Sequence, residues 1–179
     1  NTITPTPQPF PYSVLEFNFN KTHNFASMGF SMTYPEGWLT GVSFRTTLIS
    51  ELNEDHVKGF PNVPGIPRPT KGYQVTLTVV SKDVYLKRSA QNLDALMGMW
   101  ASSYSLKAQD ELIEAQMFLE APALRLTGTM GIGRRVNCLV GHTVKYAYLF
   151  CLGAPTEQAL TEFMPSWERM LASIKPVGE

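Results

Sequence analysis

RRVNCLVGHTVKYAYLFCLGAPTEQALTEFMPSWERMLASI, residues 134–174, reads as strand, turn, strand, helix. Val136, Cys138 and Val140 lead into Gly141-His142, and the run from Val144 to Leu152 is dense in the aromatic and β-branched residues that suit a pleated, half-buried surface. The spacing predicts a hairpin turning at Gly141-His142. Pro155 then sits where the first turn of a helix tolerates it. Leu160, Phe163, Met164, Trp167, Met170, Leu171 and Ile174 recur at steps of three and four, so the helix has one apolar face. That face needs a sheet to cover, and the hairpin is its nearest candidate. Pro165 cannot donate its backbone hydrogen bond, which predicts a helix that restarts there.

Outward from this stretch, the chain of 179 residues suits a single domain. Its 44% hydrophobic and 17% charged residues argue for a folded core. Fifteen basic side chains balance fifteen acidic ones, so the footprint of a general nucleic-acid binder is lacking. No apolar run is long enough to span a bilayer, and Asn1 to Ser13 has neither the positive start nor the apolar stretch of a signal peptide. Residues 1–13 carry Pro5, Pro7, Pro9 and Pro11 and read as an extended tether; residues 14–179 form the domain. A spacer from a membrane anchor and a frayed terminus fit that composition equally.

The two cysteines are expected as free, buried thiols. With the turn at Gly141-His142, the residue opposite Cys151 lies near Ile132, roughly 20 Å from Cys138 at a rise of about 3.3 Å per residue. A disulfide needs Cα atoms within about 7 Å.

Earlier in the chain, Leu15, Phe17 and Phe19 alternate with polar residues as a strand would, and after a short loop Phe30, Met32 and Tyr34 repeat the pattern. Pro35-Glu36-Gly37 breaks it with turn chemistry before Trp38. Val42 to Ser50 is again β-rich. Glu51 to Lys71 loses periodicity and gains four prolines, a long loop whose Phe60 to Thr70 portion is either a contact surface or a variable insertion. Tyr73 to Val80 is apolar on both faces, as a central strand would be. Asn92 can cap a helix that shows Leu93, Leu96, Met97, Trp100 and Tyr104 on one side. Asp110 to Glu120 fits helix and strand alike; strand is chosen for Ala115 to Leu119. Ala123 to Thr129, broken at Gly131-Ile132-Gly133, begins a meander into the closing hairpin.

No catalytic signature emerges. His23, His56 and His142 have no partner at metal-motif spacing, and His142 reads as a turn residue. The glycines at 128, 131 and 133 precede a strand and so cannot offer a helix N-terminus to a phosphate. No Gly-x-Ser-x-Gly or His-Glu-x-x-His is found. Arg134-Arg135, beside Lys82, Lys87 and Arg88, can form a basic patch for an acidic partner or simply solvated strand ends. Trp38, Trp100 and Trp167 read as core anchors. The candidate partner surface is therefore Phe60, Arg68, Arg134 and Arg135, with no catalytic, cofactor or metal residues.

Phe30-Ser-Met-Thr-Tyr-Pro35-Glu-Gly-Trp38, the meander with Tyr146 to Cys151, and the closing Phe163 to Ile174 with Met170-Leu-Ala-Ser-Ile-Lys together resemble the Mog1/PsbP-like superfamily over most of residues 28–175. The resemblance implies an α+β fold: an α/β/α sandwich with a central antiparallel sheet of about six strands and helices on both faces. Members are similar in shape and diverse in role, so fold constrains function weakly. The Pro/Thr-rich leader looks like the tether of a bacterial extracytoplasmic lipoprotein whose lipidated cysteine lies upstream of Asn1. These features lead to the expectation of a monomeric, non-enzymatic, membrane-tethered domain without cofactor. It would bind a protein partner or assist assembly of an envelope or photosynthetic complex, in the bacterial envelope or a thylakoid lumen. A small-ligand or lipid-binding protein with a pocket between the sheet and the helix of Trp100 is the alternative, and a hydrolase a third.

Overall fold

Ten strands and two helices make up the described part of the computed structural model, which covers residues 21–25, 29–36, 38–43, 46–50, 72–83, 92–103, 112–130 and 133–177. In chain order they are β1 (Lys21–Phe25), β2 (Phe30–Tyr34), β3 (Leu39–Ser43), β4 (Thr46–Ser50), β5 (Gln74–Ser81), α1 (Leu93–Ser103), β6 (Leu112–Phe118), β7 (Ala121–Met130), β8 (Arg134–His142), β9 (Tyr146–Ala154), α2 (Glu157–Ala172) and β10 (Lys175–Pro176). The leader 1–13, the alternation at Leu15, Phe17 and Phe19, the loop 51–71 with Phe60 and Arg68, and Lys87, Arg88 and Tyr104 lie outside the described residues.

Seven strands form one antiparallel sheet in the order β3-β4-β5-β9-β8-β7-β6, and β1-β2-β10 form a second, smaller one. Alternation along the central strands gives the large sheet two apolar faces. One face, with Tyr73, Val75, Leu77, Leu139, Tyr148 and Phe150, packs under α2 and β2. The other, with Val80, Leu126, Val136, Val140 and Leu149, packs under Leu96, Met97 and Trp100 of α1. Helices on both faces make this the α/β/α sandwich expected, with seven strands among the described residues. All three tryptophans are buried, as core anchors should be.

The central hairpin departs from expectation in one decisive respect. Gly141 and His142 remain in strand, and the last β8–β9 pair is His142↔Ala147, so the reversal falls at Thr143–Lys145. Thr143 closes it: its N–H donates to the Tyr146 carbonyl at 2.7 Å, and its hydroxyl accepts from the Tyr146 N–H at 3.1 Å. Gly141 is glycine for another reason, since it faces Tyr148 across the ladder and a side chain there would collide with the phenol ring. Moving the turn by three residues moves every pairing by six. Cys138 therefore stands opposite Cys151, with Cα atoms 4.1 Å apart, and the two form a disulfide rather than the free thiols expected.

Three further boundaries differ. Val42 to Ser50 is not one β segment: β3 and β4 are antiparallel neighbours with Ser43↔Thr46 as their closest pair, a reversal that β propensity alone does not register. The short loop expected before Phe30 contains β1, whose His23 lies opposite Met32. β6 starts at Leu112, three residues earlier than Ala115.

α2 runs without interruption from Glu157 to Ala172, so the restart expected at Pro165 does not occur. Pro165 and Thr161, whose carbonyl the missing N–H would have bonded, both lie on the exposed side, where water can satisfy that carbonyl. Thr156, not Pro155, begins the helix, its hydroxyl accepting from the Ala159 N–H at 3.1 Å. Asn92 caps α1 the same way, accepting from Ala95 at 2.9 Å. Beneath α2, Phe163 stacks on Tyr73 at 4.3 Å and on Trp38 at 5.5 Å, and the Tyr73 hydroxyl donates to the Ala159 carbonyl. At the helix end the Ser173 hydroxyl accepts from the Thr33 N–H at 2.9 Å, tying α2 to the small sheet.

Candidate functional site

A cleft of about 810 Å³ opens at the end of the large sheet where two of its turns meet the small sheet. Phe30 and the Pro176-Val177 segment approach it from the small sheet, Leu119 to Ala121 from the β6–β7 turn, His142 to Tyr146 from the β8–β9 turn, and Lys82 from the end of β5. The local sequence explains each piece. Gly29 has φ +75° and presses against the Tyr146 ring, which would meet any Cβ placed there, so glycine is required twice over. That contact sets Tyr146 beside Phe30, with ring centroids 5.8 Å apart. The Val177 N–H donates to the Gly29 carbonyl, and the Lys82 N–H to the Lys145 carbonyl, each at 2.9 Å.

The β6–β7 turn is strained. Phe118↔Ala121 is the closing pair, and the two residues between, Leu119 and Glu120, have φ of 49° and 61°. A two-residue turn with both φ positive normally takes Asn-Gly. An L residue held left-handed costs about 1–2 kcal/mol. Leu119 offsets part of this by packing against the main core. Such strain concentrates at functional positions.

Electrostatically, the cleft carries the ammonium groups of Lys82 and Lys145 against the single carboxylate of Glu120. Partial burial, then the Lys82 charge, pushes the His142 imidazole below its ordinary pKa of 6.5, against a smaller opposing effect of the Thr143 backbone. The imidazole is thus neutral at neutral pH. The site can receive an anionic group beside apolar surface from Phe30, Tyr146 and Leu119.

The residues singled out in the sequence are placed differently. Arg134 is buried, its guanidinium donating to the carbonyls of Gly72 at 2.6 Å and Gly153 at 2.9 Å. Arg135 is half-buried, donating to the Thr129 hydroxyl and paired with Glu157. They are turned to opposite faces of β8 and do not come together with Lys82, which lines the cleft. His142 ends β8 instead of forming its turn. Between α1 and the sheet, where a ligand pocket was the alternative, the described side chains pack against one another. Among the described residues no three His, Cys, Asp or Glu side chains lie close enough to hold a metal ion.

A polar network that the sequence reading missed joins α2 to the sheet. The Trp167 indole N–H donates to Asn137 Oδ1 at 3.0 Å, and the same oxygen accepts from Arg125 at 3.1 Å. Arg125 also donates to Gln116 at 3.0 Å and forms a two-pronged pair with Glu168, at 2.5 and 3.2 Å. Asn137 in the middle of an apolar strand was its one visible sign.

Searches by sequence find nothing: no family model matches the chain, and no curated protein does. Comparison of the fold with solved structures does. The solution structure of cyanobacterial PsbP (CyanoP) from Synechocystis sp. PCC 6803 superposes with a TM-score of 0.54 at 14% identity, covering 88% of this chain and 92% of that one. The chain has a Mog1/PsbP-like fold. A point mutant of Mog1 matches at TM-score 0.50 and 7% identity over 88% of this chain and 95% of its own. The Saccharomyces cerevisiae Ran-binding protein Mog1p is similar at TM-score 0.49 and 8% identity, over 90% and 96%. At such identities the Mog1/PsbP-like likeness extends to the fold and not to any residue's role.

Proposed function

We propose that this chain is a non-enzymatic, extracytoplasmic binding domain that recognises a protein partner, in assembly of an envelope or photosynthetic complex, and is held at the membrane by the proline-rich leader. The cleft carries this reading. It is lined by apolar surface and by two lysines, Lys82 and Lys145, which suits a partner segment with a carboxylate next to an apolar side chain, and the strained Leu119-Glu120 turn stands at its rim. The disulfide supports the compartment, because such bonds persist in oxidising spaces outside the cytosol. No described helix is long and apolar enough to cross a membrane, so the chain's described part would be held there by its leader.

Affinity capture from membranes of the source organism, with parent protein and with the double variant Lys82→Glu, Lys145→Glu, tests the reading. One partner recovered in fixed ratio with the parent and lost with the double variant is expected. Equal recovery by both would place recognition elsewhere. The cleft's volume favours one alternative, a small amphipathic anion as the true ligand. Native mass spectrometry of the purified protein showing a bound molecule, displaced in the double variant, would establish that alternative instead.

A further inference from the structure

We infer that β6 is a homodimerisation edge, pairing antiparallel with β6 of a second copy about a twofold axis through Ala115, independently of the cleft. Among the described residues β6 is the outer strand of the large sheet and has only β7 beside it. Three of its large side chains are apolar and exposed, Leu112 (59%) on one face of the sheet and Ile113 (49%) and Met117 (67%) on the other. Edge strands of natural proteins are blunted by lysine, proline or a bulge. Leu112-Ile-Glu-Ala-Gln-Met-Phe118 contains no lysine or proline, and its seven residues pair with β7 in unbroken register.

The sequence of the edge argues for a second copy as its occupant. Centred on Ala115, antiparallel self-pairing sets Ile113 opposite Met117, Leu112 opposite Phe118, and Glu114 opposite Gln116, so apolar meets apolar and the one charge meets an amide. Same-face pairing allows registers two residues apart only, because a one-residue slip turns every side chain to the other face. Centring on Glu114 opposes two carboxylates, and centring on Gln116 sets Glu114 against Phe118. The Ala115 register alone uses all seven residues without either clash. A twofold contact has to be self-complementary in this way.

Sedimentation equilibrium of the full chain, from micromolar to near-millimolar concentration, is expected to show a reversible dimer. Ala115→Lys places two ammonium groups face to face at the axis and should raise the dissociation constant about tenfold or more, the factor corresponding to about 1.4 kcal/mol. Ala115 is exposed, so melting of dilute protein should not change. Register is read by mild oxidation: Ala115→Cys should give a covalent dimer, and Ile113→Cys, which faces Met117 of the other copy, should not. A monomer at every concentration overturns the inference. So does a dimer indifferent to Ala115→Lys, or equal cross-linking by both cysteine variants.

Discussion

The middle and the edge of the same sheet are built from similarly apolar strands and have opposite fates. β8 and β9 lie between two helices, have almost every side chain buried, and are joined by a disulfide. β6, two places away, leaves three large apolar side chains in solvent. Composition does not separate the two; position in the sheet does. Burial is concentrated in the middle, and the contacts proposed above lie at the edge and the turn ends.

The largest effect should therefore come from the latch at the middle. Trp167 is fully buried, and Trp167→Ala should destabilise by about 3–5 kcal/mol in urea melts, a third or more of a typical domain's stability of about 5–15 kcal/mol. An exposed-like cost for this variant would erase the contrast. Replacing both cysteines by alanine should cost about 2–4 kcal/mol, since the residues joined are 13 apart and loops of about that length gain about 3 kcal/mol from closure. Asn137→Ala leaves the Trp167 N–H without its acceptor and should cost about 1–3 kcal/mol.

Smaller effects belong to the periphery. Glu168 lies on the exposed side of α2 and pairs with Arg125. The carboxylate is half exposed, so Glu168→Ala should still cost no more than about 1 kcal/mol. Smallest is the pH response of the cleft. The folded pKa of His142 is lowered, so the folded state takes up its proton less readily than the unfolded chain. Its contribution is full above about pH 6.5 and declines as pH falls below that value. A ring-proton titration by NMR should place its midpoint below 6.5, and Lys82→Ala should move it upward.

Much of this architecture was legible in the sequence, for reasons that can be named. The three-and-four spacing of Leu160, Phe163, Trp167 and Leu171 gave α2 and its buried face, because helical periodicity repeats over many residues. Alternation gave β2, and runs of apolar and β-branched residues gave β5 and β9. Glycine misled at 141, where it makes room for Tyr148 and not for a turn, and proline misled at 165, where the helix face it occupies is wet. The cleft was not legible: Leu119-Glu120 carries none of the residues that announce a turn with positive φ, and Lys82, His142 and Tyr146 meet only through the register of β9 with β5 on one side and β8 on the other. That register is in turn fixed by the pairing the turn error concealed.

The pairing of Cys138 with Cys151 is thus the most direct test of the account. Trypsin cuts after Arg135, Lys145 and Arg169, placing one cysteine in residues 136–145 and the other in 146–169. Digestion of denatured, alkylated, unreduced protein should yield these two peptides as one disulfide-linked species, with no alkylated thiol. Two separate, fully alkylated peptides would contradict the register at the centre of the sheet, and with it the geometry of the cleft.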